Sequence, residues 1–443
     1  MSSKSTFLGR KISARGVGLA IIAPVVFAAS FVQAQDAVRP SLAGEAAAEA
    51  RRQSTDRIPY NLLVGPIRFR FSATMGVEYN DNINVAEVNT QEDFIFRPQF
   101  NFNALWPITQ LNTLRFDIGV GYAFYAENSE YNTNGILLSP GSQLSFDIFV
   151  SDFRINFHDR FSLEQDPIGE PGLSNVADYG RFQNTAGVSV LWDLNKAVVT
   201  FGYDHYTFIA TNDDFEYLDR NAEILMATIS VAATSTTGVG LETSFVYNRY
   251  EQDLLNDSDT WSVGAFVETA LTSYLKLRVA GGYQMINFDG DEVVLGPFPP
   301  GFLPNGEIFQ VFNDKGSLDD IYLNLLLSHR INASITHSLS AGHESQLGIN
   351  SNYIKLNYVR HTATWNVINR TLLSTELFYE DAKDSGGFID EHLHRYGGAL
   401  SLGYQLTRHV TLGARYQYTQ KDSDVPLRDY RQSRVSLDGT YSF

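Results

Sequence analysis

His337 and Ser338 are adjacent, and Glu391, His392 and His394 crowd together farther along the chain. A serine nucleophile needs a base within hydrogen-bond reach. Neighbours on an extended chain point to opposite faces, so His337 and Ser338 do not pair directly. Glu391, His392 and His394 read as a loop cluster, and they lack the two-histidine spacing that puts both ligands on one face of a metalloprotease helix. These residues point away from an enzyme, and no cofactor motif accompanies them. The chain has no cysteine, which excludes disulfides, thiolate metal sites and a lipoprotein anchor.

A second group of charges is spread along the whole chain. Arg115, Asp117, Asp147, Arg154, Glu242, Glu268, Lys276, Arg278, Lys355, Arg415, Arg434 and Asp438 stand among apolar residues at every second position. Leu114, Phe116, Ile118 and Val120 alternate with Arg115, Asp117 and Gly119; Leu275, Leu277 and Val279 alternate with Lys276 and Arg278. One greasy face and one polar face is the period of a strand, not of a helix. If the greasy face meets lipid, the charged face meets water inside a closed cylinder, and these twelve residues become candidate pore-lining groups. Both signs are present. A wall tuned for anionic polymers would be mainly basic, so the mixture argues against that specialisation; the bland alternative is that the charges only brace the wall as ion-pair ladders.

The elements that carry them are strands of about 10–14 residues, suited to crossing a membrane, for which about 9–11 suffice. Strands of soluble proteins average about 5–6. We read about eighteen, centred near residues 72, 98, 118, 146, 157, 187, 202, 226, 242, 265, 280, 325, 340, 358, 375, 399, 414 and 436, with sixteen as the alternative count. The expected fold is an all-β, antiparallel, up-and-down transmembrane β-barrel. Its connections alternate between short turns, such as 150–152 and 193–196, and long loops near 80–92, 127–141, 164–179, 209–220, 250–260, 288–319, 380–392 and 420–430. The connection near 348–351 looks short where a long one is due. Short periplasmic turns and long extracellular loops are the outer-membrane pattern. Trp106, Trp192 and Trp365 sit beside short turns and Trp261 beside a long loop, as aromatic girdle residues do.

The long loops collect acid. Asp213, Asp214, Glu216 and Asp219 share one; Glu251, Asp253, Asp257 and Asp259 share another. They read as a solvated outer face or, more sharply, as divalent-cation ligands among the anionic sugars of an outer leaflet. The 288–319 connection holds Gly-Pro-Phe-Pro-Pro-Gly-Phe, and a loop this long is uncommon without a role. It is the candidate gate, with Phe298 and Phe302 placed to stack on sugar rings.

The ends read as addresses. Lys4, Arg10, Lys11 and Arg15 precede an apolar run from Val17 to Phe31 and Val32-Gln33-Ala34, the pattern of a signal peptide over 1–34 with the mature chain starting at Gln35. Residues 35–62 follow as a periplasmic linker or short helix, and 63–443 as the barrel. The last strand sets Val435, Leu437, Tyr441 and Phe443 on one face. That row resembles the signal that outer-membrane barrels present to their assembly machinery, and it should pair with the first strand, near Arg68 to Glu78.

After that first strand comes Gly76-Val77-Glu78-Tyr79-Asn80-Asp81-Asn82-Ile83. A strand ending in this way resembles the opening of the β-barrel porin 2 family, whose members are commonly associated with exopolysaccharide or capsule loci. The resemblance implies an outer-membrane barrel and a role in polysaccharide export, and brings no catalytic residues. Locally, Asn80, Asp81 and Asn82 favour a tight turn through side-chain-to-backbone bonds.

The sequence therefore leads to a porin-like channel passing polysaccharide or small hydrophilic solutes. The alternative is a non-conducting surface-structural or binding barrel acting through its acidic loops. Expected partners are outer-membrane lipid and lipopolysaccharide, the barrel assembly machinery and, on the export reading, polysaccharide. A net charge of −17 argues against nucleic acid, and nothing in the sequence identifies an oligomer interface.

Overall fold

The computed structural model describes residues 60–109, 111–296 and 309–443. The expected leader and most of the expected linker lie outside the described residues. From Ile67 onward the alternating pattern becomes long strands. They are β1 (Ile67–Asn80), β2 (Asp93–Pro107), β3 (Thr113–Gly121), β4 (Leu137–Val150), β5 (Phe153–Glu164) and β6 (Arg181–Asp193). There follow β7 (Ala197–Ala210), β8 (Arg220–Ala232), β9 (Thr237–Tyr250), β10 (Ser258–Ala270), β11 (Leu275–Phe288) and β12 (Ser317–Arg330). The set ends with β13 (Ile335–Leu347), β14 (Tyr353–Ile368), β15 (Thr371–Asp384), β16 (His392–Gln405), β17 (Val410–Ser423) and β18 (Tyr430–Ser442).

Each strand pairs antiparallel with the next, and β18 returns to β1 with Ser442 opposite Ser72 and Arg434 opposite Asn80. Among the described residues this makes a closed barrel of eighteen strands, 9 to 16 residues long. Closure gives every strand a neighbour on both sides. Every strand centre read from the sequence falls inside its strand.

The two faces separate as the alternation requires. Leu144, Phe157, Leu241, Val263, Leu323, Leu377, Leu402 and Leu437 are exposed on the outside. Rings border this apolar band at both ends. Near the short turns, Trp106, Phe153, Trp192, Trp365 and Tyr441 are exposed. Near the long loops, tyrosines of the outward row reach up to polar partners: Tyr79 donates to Glu92 at 2.5 Å, Tyr203 to Glu223 at 2.6 Å and Tyr283 to Asp319 at 2.8 Å. An apolar belt between two aromatic rows is the exterior of a membrane-spanning barrel.

Inside, close approach depends on glycine at one place in particular. A Cβ at Gly264 would collide with the Tyr322 hydroxyl. The bare backbone lets the Tyr322 ring lie against the β10–β11 wall and donate to Glu242 at 2.9 Å.

One rim carries short turns, such as 151–152, 194–196 and 369–370, with Ser151, Asn195 and Arg370 at positive φ. The other carries the long connections. The 348–352 connection is short, as read, and it is tucked inward: Ile349, Ser351 and Asn352 are buried. One ladder is incomplete. Pairing between β12 and β13 stops at Leu323 and His343, leaving the outer part of that seam to side chains.

Candidate functional site

The inner wall is built from the polar rows. Asp117 accepts from Asn103 at 2.8 Å and from Gln143 at 3.0 Å. Arg154 pairs with Asp147 at 2.9 Å, and Arg278 with Glu242 at 2.9 Å. Arg115, Glu268 and Lys276 occupy the same inward rows, Glu268 lying opposite Arg278 across the β10–β11 ladder. Arg415 donates to Ser401 Oγ at 3.1 Å. Asp438 packs over Gly413, and Arg434 faces inward above it. Many of these charges thus brace one another.

Lys355 is placed differently. It falls on the outward row with Asn357 and Val359, and its Nζ meets Asp320 at 2.5 Å beside the unpaired part of β12. His343 meets the same carboxylate at 3.3 Å. Lys355 closes the seam that the backbone leaves open and does not line the lumen. The alternation is counted from a strand whose first residues, Tyr353 and Ile354, are both buried, and this hides the parity from the sequence.

Among the described residues, a loop between β5 and β6 enters the lumen. Residues 165–180 leave the end of β5 and turn into the barrel. Asp166 accepts from the Ile168 amide at 3.0 Å, capping the short turn Pro167–Gly169. Its carboxylate also takes both terminal nitrogens of Arg434 on β18, at 2.5 and 2.8 Å. Such a planar two-point contact is the strong form of an ion pair. Burial alone would raise the Asp166 pKa; the Arg434 and Arg97 guanidiniums overcome it and hold the carboxyl below its ordinary range.

Farther along, Arg395 of β16 donates to the Ile168 carbonyl at 2.7 Å, and Lys421 of β17 reaches Ser174 Oγ at 3.0 Å. Arg428 and Asn350 both donate to the Gly172 carbonyl. The loop therefore starts on one wall and is fastened to the far one. Its Leu173 and Tyr179 enter an apolar cluster with Tyr206, Phe208, Ile224, Met226, Val246 and Ile349, which fills the lumen beside β7–β9.

On the other side lies a chamber of about 330 Å³, in the half of the barrel nearer the long loops, with charged groups set among apolar ones such as Leu138, Leu163 and Ile168. Its lining includes Arg97, Arg415 and Arg434 facing Glu78, Glu164 and Asp166, with Gln99, Ser139 and Gln417 between them. Arg97 and Glu78 are 3.4 Å apart.

The expected gate residues Phe298 and Phe302 lie outside the described residues. The described base of their connection forms a small hairpin, Glu292–Leu295 against Gln310–Asn313. It places Val293, fully buried, on the apolar cluster. Among the described residues the crossing is made by 165–180, where the sequence reads Pro-Ile-Gly-Glu-Pro-Gly-Leu after an aspartate.

The assembly-signal row is on the outside: Val435, Leu437, Tyr441 and Phe443 are all exposed. The Asn80-Asp81-Asn82 turn knits the barrel's closing seam. Asn82 donates to the carbonyls of Ala86 at 2.8 Å and Arg431 at 2.9 Å, and its own Oδ1 accepts from the Ala86 amide at 3.0 Å. Asp81 accepts from the Ser433 amide at 2.6 Å, so that oxygen serves the seam. Asn82→Ala strands these buried groups, each costing about 1–3 kcal/mol. We expect thermal unfolding in detergent at a lower temperature, with the barrel still able to form.

His337 and Ser338 part to opposite faces, Ser338 bonding Thr362 at 2.7 Å and His337 meeting His329 at 3.0 Å. His392 and His394 are not in a loop; β16 begins at His392.

No family model matches the chain, and no curated protein matches it. Among solved structures it is similar to the outer membrane protein OpdK from Pseudomonas aeruginosa, at 10% identity and TM-score 0.46, over 85% of this chain and 99% of that one. It is similar also to OccAB3 from Acinetobacter baumannii, at 11% identity and TM-score 0.47, over 86% and 100%. A third is OccK2 (OpdF) from Pseudomonas aeruginosa, solved in complex with glucuronate, at 12% identity and TM-score 0.47, over 85% and 98%. The resemblance through Gly76–Ile83 stands on those residues alone.

Proposed function

We propose that this chain is an outer-membrane diffusion channel for small hydrophilic solutes. The observation that supports this reading is the chamber beside the inward loop, lined by charges of both signs from the strands and the loop. Small polar molecules exchange water contacts for Arg97, Arg415, Glu78 and Gln99 there. The mixed lining favours no single sign strongly. A long polysaccharide suits it poorly, because residues 165–180 and the apolar cluster take up much of the cross-section.

The apolar outer belt between two aromatic rows supports an outer-membrane address. The assembly machinery would be met during insertion, and lipid and lipopolysaccharide afterwards, with the long loops outside.

The test is reconstitution of the folded full-length mature chain. Planar bilayers should show discrete conductance steps, and liposome swelling should admit monosaccharides and amino acids while excluding longer oligosaccharides. Arg97→Ala with Arg415→Ala should move ion selectivity toward cations. A folded barrel that conducts nothing would favour the other reading, a surface or binding barrel working through its acidic loops.

A further inference from the structure

The outer rim carries a ligand set that the lumen does not use. His392 and His394 stand two residues apart at the start of β16, so both side chains leave the same face of the strand. This spacing does for a strand what a four-residue spacing does for a helix. Asp381 of β15 is the direct cross-strand partner of His394. One ligand atom from each of the three lies within 4.8 Å of the others. His392 Nε2 is 3.2 Å from one Asp381 oxygen, and His394 Nδ1 is 3.8 Å from the other.

The three face outward, above the outer tyrosine row, and their side chains are 32–43% exposed. An ion reaches them without opening the barrel. The backbone there is fixed: the His392 amide donates to Asp424 Oδ1 at 2.8 Å, and the Asp424 amide donates to the His392 carbonyl at 3.1 Å. Asp422, opposite His394 on β17, adds negative potential, while Lys383, opposite His392, opposes it. The Tyr379 hydroxyl, 3.1 Å from His394 Nδ1, is the group an incoming ion would displace.

We infer that Asp381, His392 and His394 bind one divalent transition-metal ion of the zinc class at the outer rim. Two imidazoles and one carboxylate suit zinc, nickel or copper(II), and leave at least one position for water. Calcium and magnesium prefer all-oxygen shells, so they should compete poorly. Bound metal would tie β15 to β16 just above the apolar belt. This site is independent of whether the lumen conducts.

The test is calorimetric titration of zinc chloride into the folded full-length mature barrel in detergent. We expect saturable binding of one ion per chain and a rise in the thermal unfolding temperature. Binding should vanish in His392→Ala with His394→Ala and weaken about tenfold or more in Asp381→Asn. It should persist in His329→Gln with His337→Gln, which removes a separate histidine pair. Heat-modifiable gel mobility reports that each variant is folded; if the double alanine variant is not, His394→Gln alone replaces it. No saturable heat with the parent protein overturns the site. So does binding that survives loss of both rim histidines, binding that disappears with His329 and His337, or calcium displacing zinc at equal concentration.

Discussion

Excising residues 169–176 should raise single-channel conductance several-fold while the barrel stays folded. The remaining residues still join β5 to β6, and the strand ladder does not depend on the excised tip. What is lost is the bridge: the Gly172 carbonyl held by Arg428 and Asn350, Ser174 held by Lys421, and Leu173 in the apolar cluster. An eighteen-strand cylinder is wide enough to hold an aqueous channel once nothing crosses it. Conductance equal to that of the parent would mean that ions bypass this loop. Asp166→Asn is the milder form of the experiment. It leaves the loop in place and removes the two-point ion pair with Arg434.

The pH dependence follows from the same pair. In the folded protein the Arg434 and Arg97 guanidiniums hold the Asp166 carboxyl below the ordinary carboxylate range. Its contribution is therefore present above the ordinary carboxylate range and is lost only as pH falls through the lowered value. The difference in conductance between the parent and Asp166→Asn should therefore persist from neutral pH down through the ordinary carboxylate range. Loss of that difference within the ordinary range would show that Asp166 is not held by arginine.

The barrel was legible because each strand repeats one simple rule. Alternation in stretches such as Leu114 to Val120 or Val410 to Tyr418 has no other economical reading. The terminal row from Val435 to Phe443 also indicated where the cylinder closes. The lumen was much less legible, because its contacts join residues far apart in the chain. Arg395 holds a carbonyl 227 positions away, and Arg434 holds a carboxylate 268 positions away. The groups held on the loop are often backbone carbonyls, which carry no residue-type signal. Pro167, Gly169, Pro171 and Gly172 mark a shaped loop but not its direction. Length and proline draw the eye to the 288–319 connection instead, whose Phe298 and Phe302 lie outside the described residues. His392 and His394 were misplaced for a related reason: the strand continues past the apolar belt, and above the belt the greasy half of the alternation is gone.

Glu391→Gln should cost about 3–5 kcal/mol, the range for breaking a buried ion pair by removing one partner. The 385–391 connection turns inward and leaves Glu391 with no exposed surface. Its carboxylate meets Lys421 Nζ at 2.9 Å and the Arg428 guanidinium at 3.0 Å, and accepts from Ser423 Oγ at 2.5 Å. Lys421 is equally buried. An amide in place of the carboxylate leaves an ammonium group and a guanidinium facing each other out of water. Loop 165–180 should loosen as well, since Lys421 and Arg428 are two of its fasteners. Glu391→Leu combined with Lys421→Met and Arg428→Leu tests whether charge or packing governs the site. Replacing every member of a buried ion set with apolar groups is often close to neutral. The triple variant should therefore recover much of the stability lost in the single one, read as thermal unfolding in detergent. If the substitutions simply add, the three charges are not coupled, and water rather than Glu391 balances Lys421 and Arg428.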